Sequence, residues 1–385
     1  MQNFVFHNPT KIIFGRDTIP SIGPETREWG KTCLLVYGTG SIRRNGIYDQ
    51  VTRSLTGAGL TIHEHGGVRS NPLLSHVREG IAKARENGVD VVVAVGGGSV
   101  LDSAKAICAG AVVDHDVWKF FSGKKSVRDA LPLTTVLTLA ASGSEMNSGM
   151  VITRDDTREK FGFGSRFLYP KTSILDPEAT FTVPPDYTAY GAVDAVAHVL
   201  EYYMTGEDPA TPVQDRIMEG LIENAMDSCR RCLREPRNYD ARADLMWTAT
   251  LALNGLTGAG LGRVGFPMHM IEHSLSALYD VPHGAGLSVV IPGWLRWRAQ
   301  KHPERITRLG GRLFGIAPST EAAAATIERL EQWFTEVGSP TRLSGLDIPA
   351  EDIPAIADNA LGLARFWRLD EYDHRTIEEI LHLCR

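Results

Sequence analysis

With 385 residues, 43% hydrophobic and 22% charged, and a formal net charge of -6, the chain has the make-up of an ordinary globular protein long enough for two cores. The acidic balance argues against nucleic acid as a partner, and the residue mix argues against a disordered chain. Cysteines at 33, 108, 229, 232 and 384 are too few and scattered for a disulfide framework, no apolar run approaches bilayer length, and the start lacks the basic and apolar regions of a secretory leader. The expected setting is the cytoplasm, without a membrane partner.

Asn3 to His7 and Lys11 to Phe14 read as short strands split by Asn8-Pro9-Thr10, an N-terminal hairpin or edge pair. Thr32 to Tyr37 is the continuous apolar run of a strand buried on both faces, and it ends in Gly38-Thr39-Gly40-Ser41. Ile47, Val51 and Leu55 stand at helical spacing before a short strand at Leu60 to His63. Asn71-Pro72 opens a predicted helix, Asn as cap and Pro at the first position, which passes through Val77, Ile81 and Ala84 and stops at Gly88. The β-branched run Asp90 to Val95 leads into Gly96-Gly97-Gly98-Ser99 and a helix marked by Leu101, Ala104 and Ile107.

Strand, glycine loop, helix is the order that cradles a phosphate. Neither glycine loop completes GxGxxG or a P-loop, so a tight strand-to-helix turn is an equal reading, and Ser99 with Asp102 also fits a capping box. Further strands are predicted at Leu133 to Leu139, ending in Ala140-Ala-Ser142-Gly-Ser-Glu145, and at Ser173 to Asp176. Beyond Pro184-Pro185 helical periodicity runs to Arg385, clearest over 215–233, 241–256 and 322–337. The predicted plan is an α/β domain over 1–182 and an all-helical domain over 183–385. Cys229-Arg-Arg-Cys232 has CxxC spacing, but it lies in a helical pattern with no second pair and reads as incidental.

The chemistry concentrates after residue 190. Asp194 and His198 are four apart in an otherwise mostly apolar helix, so both fall on one face. A buried carboxylate is costly unless paired, hydrogen-bonded or bound to metal. His269 and His283 can complete a coordination sphere of nitrogen and oxygen, which suits Fe(II), Zn, Ni or Mn and does not select among them. The bland alternative is an Asp194–His198 hydrogen bond with His269 and His283 as satisfied core residues.

Gly96-Gly-Gly-Ser-Val-Leu-Asp102, Ser142-Gly-Ser-Glu145, Asp194-x3-His198, and His269 fourteen residues before His283 together resemble the iron-containing (group III, metal-dependent) alcohol dehydrogenase family. The likeness runs from Phe6-His-Asn-Pro-Thr-Lys to the C-terminal helices. It is nearest the butanol dehydrogenase and NADPH-dependent aldehyde reductase branch, through Tyr37-Gly-Thr-Gly-Ser41, Leu137-Thr-Leu and Leu253-Asn-Gly-Leu256. The resemblance implies a Rossmann-like, mostly parallel α/β dinucleotide-binding domain followed by an all-α metal-binding domain, the plan shared with dehydroquinate synthase.

It further implies that Asp194, His198, His269 and His283 bind one divalent metal, Fe2+ first and Zn2+ second. Gly97, Gly98, Ser99 and Thr138 are implied along the cofactor, with Asn71 and Lys160 at further contacts. Gly38, Thr39, Ser41 and Asp102 are read as cofactor residues from the two glycine loops, although an acid near an anion site argues against direct phosphate contact by Asp102. His273, one turn after His269, is implied near nicotinamide and substrate, as proton relay or as a positioning group. Glu201 and Glu272 are read as solvated or as supports behind the ligands. Met146, Phe266 and Met268 are candidate pocket lining, or core.

NAD-preferring relatives carry Asp at position 39, where this chain has Thr39. With Arg43 and Arg44 nearby, either cofactor partners or solvated, NADP(H) is favoured over NAD(H). The expected activity is metal-dependent reduction of a small aliphatic aldehyde, or oxidation of the alcohol, by a homodimer. The alternatives are a dehydroquinate synthase-like lyase and a non-catalytic dinucleotide sensor.

Overall fold

The computed structural model describes residues 1–208 and 210–385. Its strands are β1 (Lys11–Phe14), β2 (Thr32–Gly38), β3 (Thr61–Val68), β4 (Val91–Gly96), β5 (Leu133–Leu137), β6 (Gly149–Arg154), β7 (Glu159–Gly164) and β8 (Thr172–Leu175). Among them run helices α1 (Ile22–Arg27), α2 (Ser41–Arg44), α3 (Ile47–Gly57), α4 (Leu74–Glu86), α5 (Gly98–Ala111) and α6 (Trp118–Phe121). Then follow α7 (Pro185–Thr205), α8 (Pro212–Arg234), α9 (Tyr239–Ala252), α10 (Pro267–Tyr279), α11 (His283–Ala299), α12 (Glu304–Phe314), α13 (Ala322–Glu336), α14 (Ile353–Phe366) and α15 (His374–His382).

A six-stranded sheet has the order β1-β8-β5-β4-β2-β3, with every pairing parallel. Alternate residues Cys33, Leu35 and Tyr37 of β2 and Val91, Val93 and Val95 of β4 join Ile22, Ile47, Val51 and Leu55 in one apolar cluster. The residues between them, Leu34, Val36, Val92 and Ala94, are buried on the opposite face. A sheet covered on both sides explains the uninterrupted apolar runs, each large side chain contributing about 1.5–3 kcal/mol on burial.

The chain packs as two compact units. One comprises His7–Val183 with Pro236–Thr250, the other Met1–Phe6, Pro184–Glu235 and Leu251–Arg385. Against the predicted division at 182/183, two segments change sides, for local reasons. Within the helical unit, the Met1 ammonium pairs with Asp208 at 2.6 Å and the Gln2 N–H donates to the Gly260 carbonyl at 2.9 Å. Within the α/β unit, the Thr250 hydroxyl donates to Glu145 at 2.5 Å and Trp247 packs edge-on to Phe14, ring centroids 6.0 Å apart.

Four local expectations need correction. Asn3 to His7 is not a strand: Met1 and Gln2 just before it bond within the helical unit, and β1 pairs with the distant β8 instead of a hairpin mate. β3 continues five residues past the predicted end at His63, through Gly66 and Gly67, to Val68. α4 opens at Leu74, because Asn71 is buried and accepts from Lys160 Nζ at 3.1 Å rather than capping. The antiparallel pair β6–β7 was not foreseen, its strands being broken by Gly149, Gly162 and Gly164 and joined by Arg158 in a left-handed conformation. Among the described residues no strand follows β8, as the helical periodicity predicts, and no helix is long and apolar enough to cross a membrane.

Candidate metal centre and dinucleotide site

Pro185 at the first helical position starts α7, whose middle, Gly191 to Glu201, is buried on all sides. Asp194, His198 and Glu201 therefore lie on one inward face. Pro267 starts α10, which carries His269, Glu272 and His273, and His283 is the first residue of α11 after Pro282. These helices bring three imidazoles around a single carboxylate oxygen. Asp194 Oδ1 lies 3.5 Å from His198 Nδ1, 3.7 Å from His269 Nε2 and 3.6 Å from His283 Nε2.

Asp194 Oδ1, His198 Nδ1 and His269 Nε2 are all buried without a hydrogen-bond partner. Leaving three such atoms together is costly unless something satisfies them jointly. Tetrahedral coordination with bonds of about 2.1 Å places ligand atoms about 3.4 Å apart, close to these separations and longer than a good hydrogen bond. The residues present thus fit one divalent cation.

Electrostatics points the same way. Burial pushes Asp194 upward, but the rings of His198, His283 and His269 more than reverse it and hold the carboxylate well below its ordinary value. Burial drives His198 down to about 3, so its ring is neutral and able to donate a lone pair. Burial also opposes charge on His269, yet the carboxylates of Asp194 and Glu201 raise it to about 9, a proton that a cation would replace.

Behind His269 and His283 stand two carboxylates. Glu201 Oε1 accepts from His269 Nδ1 at 3.0 Å and from the His269 backbone N–H at 2.8 Å, while Glu272 Oε2 pairs with His283 Nδ1. Glu272 Oε1 is itself held by the Ser276 hydroxyl at 2.5 Å. Carboxylates on the far nitrogens fix the tautomers so that both Nε2 atoms face Asp194. Both glutamates are 0% exposed, which removes the solvated reading, and the sequence signal for the support role is their spacing: Glu201 three after His198, Glu272 three after His269.

Gly284 sets how closely α11 approaches α7. A Cβ there would stand 2.1 Å from the Tyr190 carbonyl oxygen, so α11 meets α7 with no room for a side chain beside His283. His273 is buried, 5.6 Å from the His283 ring and edge-on to Trp367 at 5.5 Å; donor atoms of Glu272, His273 and His283 lie within 4.8 Å of one another, beside the group formed by Asp194, His198 and His269. Phe266 sets its edge to His269 at 5.5 Å; Met268 is 0% exposed core, and the Met146 carbonyl accepts from Asn8 at 2.8 Å.

In the α/β unit, β3-β2-β4-β5-β8 is the 2-1-3-4-5 order of doubly wound sheets, whose switch point lies between β2 and β4. Their carboxyl ends carry the two predicted loops, Gly38-Thr39-Gly40-Ser41 and Gly97-Gly98-Ser99, one on each side of that point. The Thr138 N–H donates to the Gly96 carbonyl at 3.0 Å, continuing β5 beside the second loop. A Cβ on Gly98 would fall 2.3 Å from Ser142 Oγ, so this glycine is also required by packing. Gly97 caps α5 without a side-chain bond, Ser99 Oγ donates to the Ser70 carbonyl, and Asp102 accepts from Ser144 Oγ at 2.6 Å and the Val151 N–H at 2.9 Å. The capping-box reading therefore does not apply.

Lys105, which no sequence motif marks, is 0% exposed. Its ammonium donates to Ser144 Oγ, the Asn147 carbonyl, Asn147 Oδ1 and the Gly149 carbonyl at 2.8–3.0 Å, tying α5 to the loop before β6. Burial lowers it to about 8 against the pull of Asp102 and Glu145.

Residues 9–177 match the model of iron-containing alcohol dehydrogenases, and residues 188–385 match that of the Fe-containing alcohol dehydrogenase family, C-terminal. The chain is 44% identical over 385 residues to the probable NADH-dependent butanol dehydrogenase 1 of Bacillus subtilis, covering 99% of each chain. It is 36% identical to the NADPH-dependent aldehyde reductase YqhD of Escherichia coli, covering 92% of each. The crystal structure of NADH-dependent butanol dehydrogenase A from Thermotoga maritima is similar, with a TM-score of 0.96 and 45% identity over 100% of this chain and 99% of that one. With matches in both of its parts, the chain belongs to the iron-containing alcohol dehydrogenase family, as an NAD(P)H-dependent alcohol dehydrogenase or aldehyde reductase.

Proposed function

We propose that the chain interconverts small aliphatic aldehydes and their alcohols at a divalent metal, iron before zinc, held by Asp194, His198, His269 and His283. The observation that carries this reading is the set of three imidazole nitrogens 3.5–3.7 Å from Asp194 Oδ1. When bound, the cation supplies Lewis acidity at the carbonyl oxygen and the nicotinamide supplies the hydride. Glu201 and Glu272 hold His269 and His283 in the donating tautomer. His273, buried beside this cluster, holds or moves the proton at the alcohol oxygen. Apolar Phe266 and the half-buried Trp367 favour an aliphatic substrate over a charged one.

For the nucleotide, the loops at Gly38–Ser41 and Gly97–Ser99 are proposed to bind dinucleotide, with Thr138, Asn71 and Lys160 as further contacts. Asp102 is proposed to act through the loop it holds, since its carboxylate is engaged by Ser144 and Val151. Thr39 leaves position 39 without a carboxylate and admits a 2'-phosphate. Arg43, however, is committed to Glu64 at 2.6 Å, so the expected preference for NADP(H) rests on Thr39 and the exposed Arg44, and both nucleotides are proposed to be used. The names of the relatives carry both cofactors.

A homodimer is proposed from β1, an edge strand with Phe14 40% exposed, and from Phe4 and Val5, exposed at 53% and 95%. A cytoplasmic setting is proposed from five free, buried cysteines. NADH and NADPH absorbance followed with propanal, butanal and hexanal, on iron-loaded, zinc-loaded and chelator-stripped protein, tests the function. Metal-dependent oxidation of the nucleotide by at least one aldehyde is expected. Metal binding without turnover in either direction would sink it.

A further inference from the structure

A four-residue cluster stands beside the Gly38–Ser41 loop. Glu64 Oε2 accepts from Arg43 Nη2 at 2.6 Å and from the Tyr37 hydroxyl at 2.7 Å, and Glu64 Oε1 accepts from the Tyr48 hydroxyl at 2.6 Å. Arg43 also donates to the Tyr37 hydroxyl at 2.8 Å and lies 3.8 Å over the Tyr48 ring. Burial pushes Glu64 upward, but Tyr48, Tyr37 and Arg43 together hold it below its ordinary value.

The backbone is shaped to admit this cluster. A Cβ on Gly66 would sit 2.5 Å from the Tyr37 ring, Gly67 has φ +99°, and the β2–β3 register shifts between Val36 and Gly38. Two glycines and an irregular ladder bring Tyr37 across to Glu64. Arg43 lies within the first turn after the loop, 47% exposed at its side chain, with its charge already matched by a carboxylate.

We propose that Glu64 is a specificity-determining residue that acts through Arg43: by holding the guanidinium it withholds a cation from the 2'-phosphate and narrows discrimination between NADPH and NADH. The proposal rests on the reading that the adenosine half of the nucleotide lies at the Gly38–Ser41 loop. A guanidinium freed from its carboxylate gains a charge-assisted bond to a phosphate, and partial exposure limits the gain to about three- to tenfold.

The test measures binding of adenosine 2',5'-bisphosphate and of AMP by calorimetry, and the NADPH to NADH ratio of kcat/KM, in wild type, Glu64→Gln, Arg43→Gln and the double variant. The expected result is a three- to tenfold rise in both ratios for Glu64→Gln that disappears in the double variant. Tyr48→Phe, which removes one bond to Glu64, shifts the ratios the same way by less. Unchanged ratios in Glu64→Gln, or a gain that survives without Arg43, overturn the proposal; the second result would mean direct repulsion by Glu64. AMP that binds without competing with NADH would instead refute the placement of the adenosine, and the proposal with it.

Discussion

Asp194 is the residue to which the site's energetics reduce: a buried carboxylate whose Oδ1 has no hydrogen bond and three imidazoles around it. Removing one support behind a ligand should therefore be read in metal affinity before it is read in folding. Glu201→Gln keeps the shape but weakens the acceptor for His269 Nδ1, and about a 10- to 100-fold loss of metal affinity is expected, measured by competition with a chromophoric chelator. His273 makes the opposite case, because it stands beside the ligands. In His273→Gln, metal content by mass spectrometry should stay at the wild-type level while kcat falls about 100-fold or more. Equal loss of metal and kcat would make His273 a support for the ligands rather than a proton carrier.

At the scale of elements, α7, α10 and α11 act as one device. Gly284 abuts the Tyr190 carbonyl, so a methyl group there has to push α11 from α7 and carry His283 with it. Gly284→Ala is expected to cost about 3 kcal/mol in denaturant unfolding and to weaken metal binding in the same variant. What the sequence made legible follows the same division. Asp194 and His198 were readable from helical spacing alone, because i and i+4 share a face in any α-helix. His269 and His283 needed family resemblance, since nothing local places two later helices against the first. For Glu201 and Glu272 the sequence left open a solvated side chain or a support behind the histidines, because it does not show which ring nitrogens they meet. The parallel strands, β1 included, were visible as apolar runs, whereas the pairing of β1 with β8, some 160 residues away, was not, and β6 and β7 are glycine-interrupted.

For the whole molecule, metal binding is linked to stability. A cation held by the native protein and not by the unfolded chain adds about 3–4 kcal/mol when its concentration is 100 to 1,000 times Kd. Chelator stripping should therefore lower the melting temperature, with amide exchange rising first over 190–205 and 267–290. Stripping that leaves both unchanged would mean no cation is bound there. The thiols supply an independent check on packing. All five are buried, and burial pushes Cys33 and Cys384 up to about 12, so native protein at pH 8 should react with none to one equivalent of a disulfide reagent and denatured protein with five.

The measurement closest to the central claim is a titration of stripped protein with Fe2+ under anaerobic conditions, following NADH and NADPH oxidation with butanal, alongside Asp194→Asn. Activity is expected to rise linearly to one equivalent of metal per chain and then stay flat, with no recovery in Asp194→Asn. Full turnover before any metal is added, or equal recovery in Asp194→Asn, would contradict the assignment of this site.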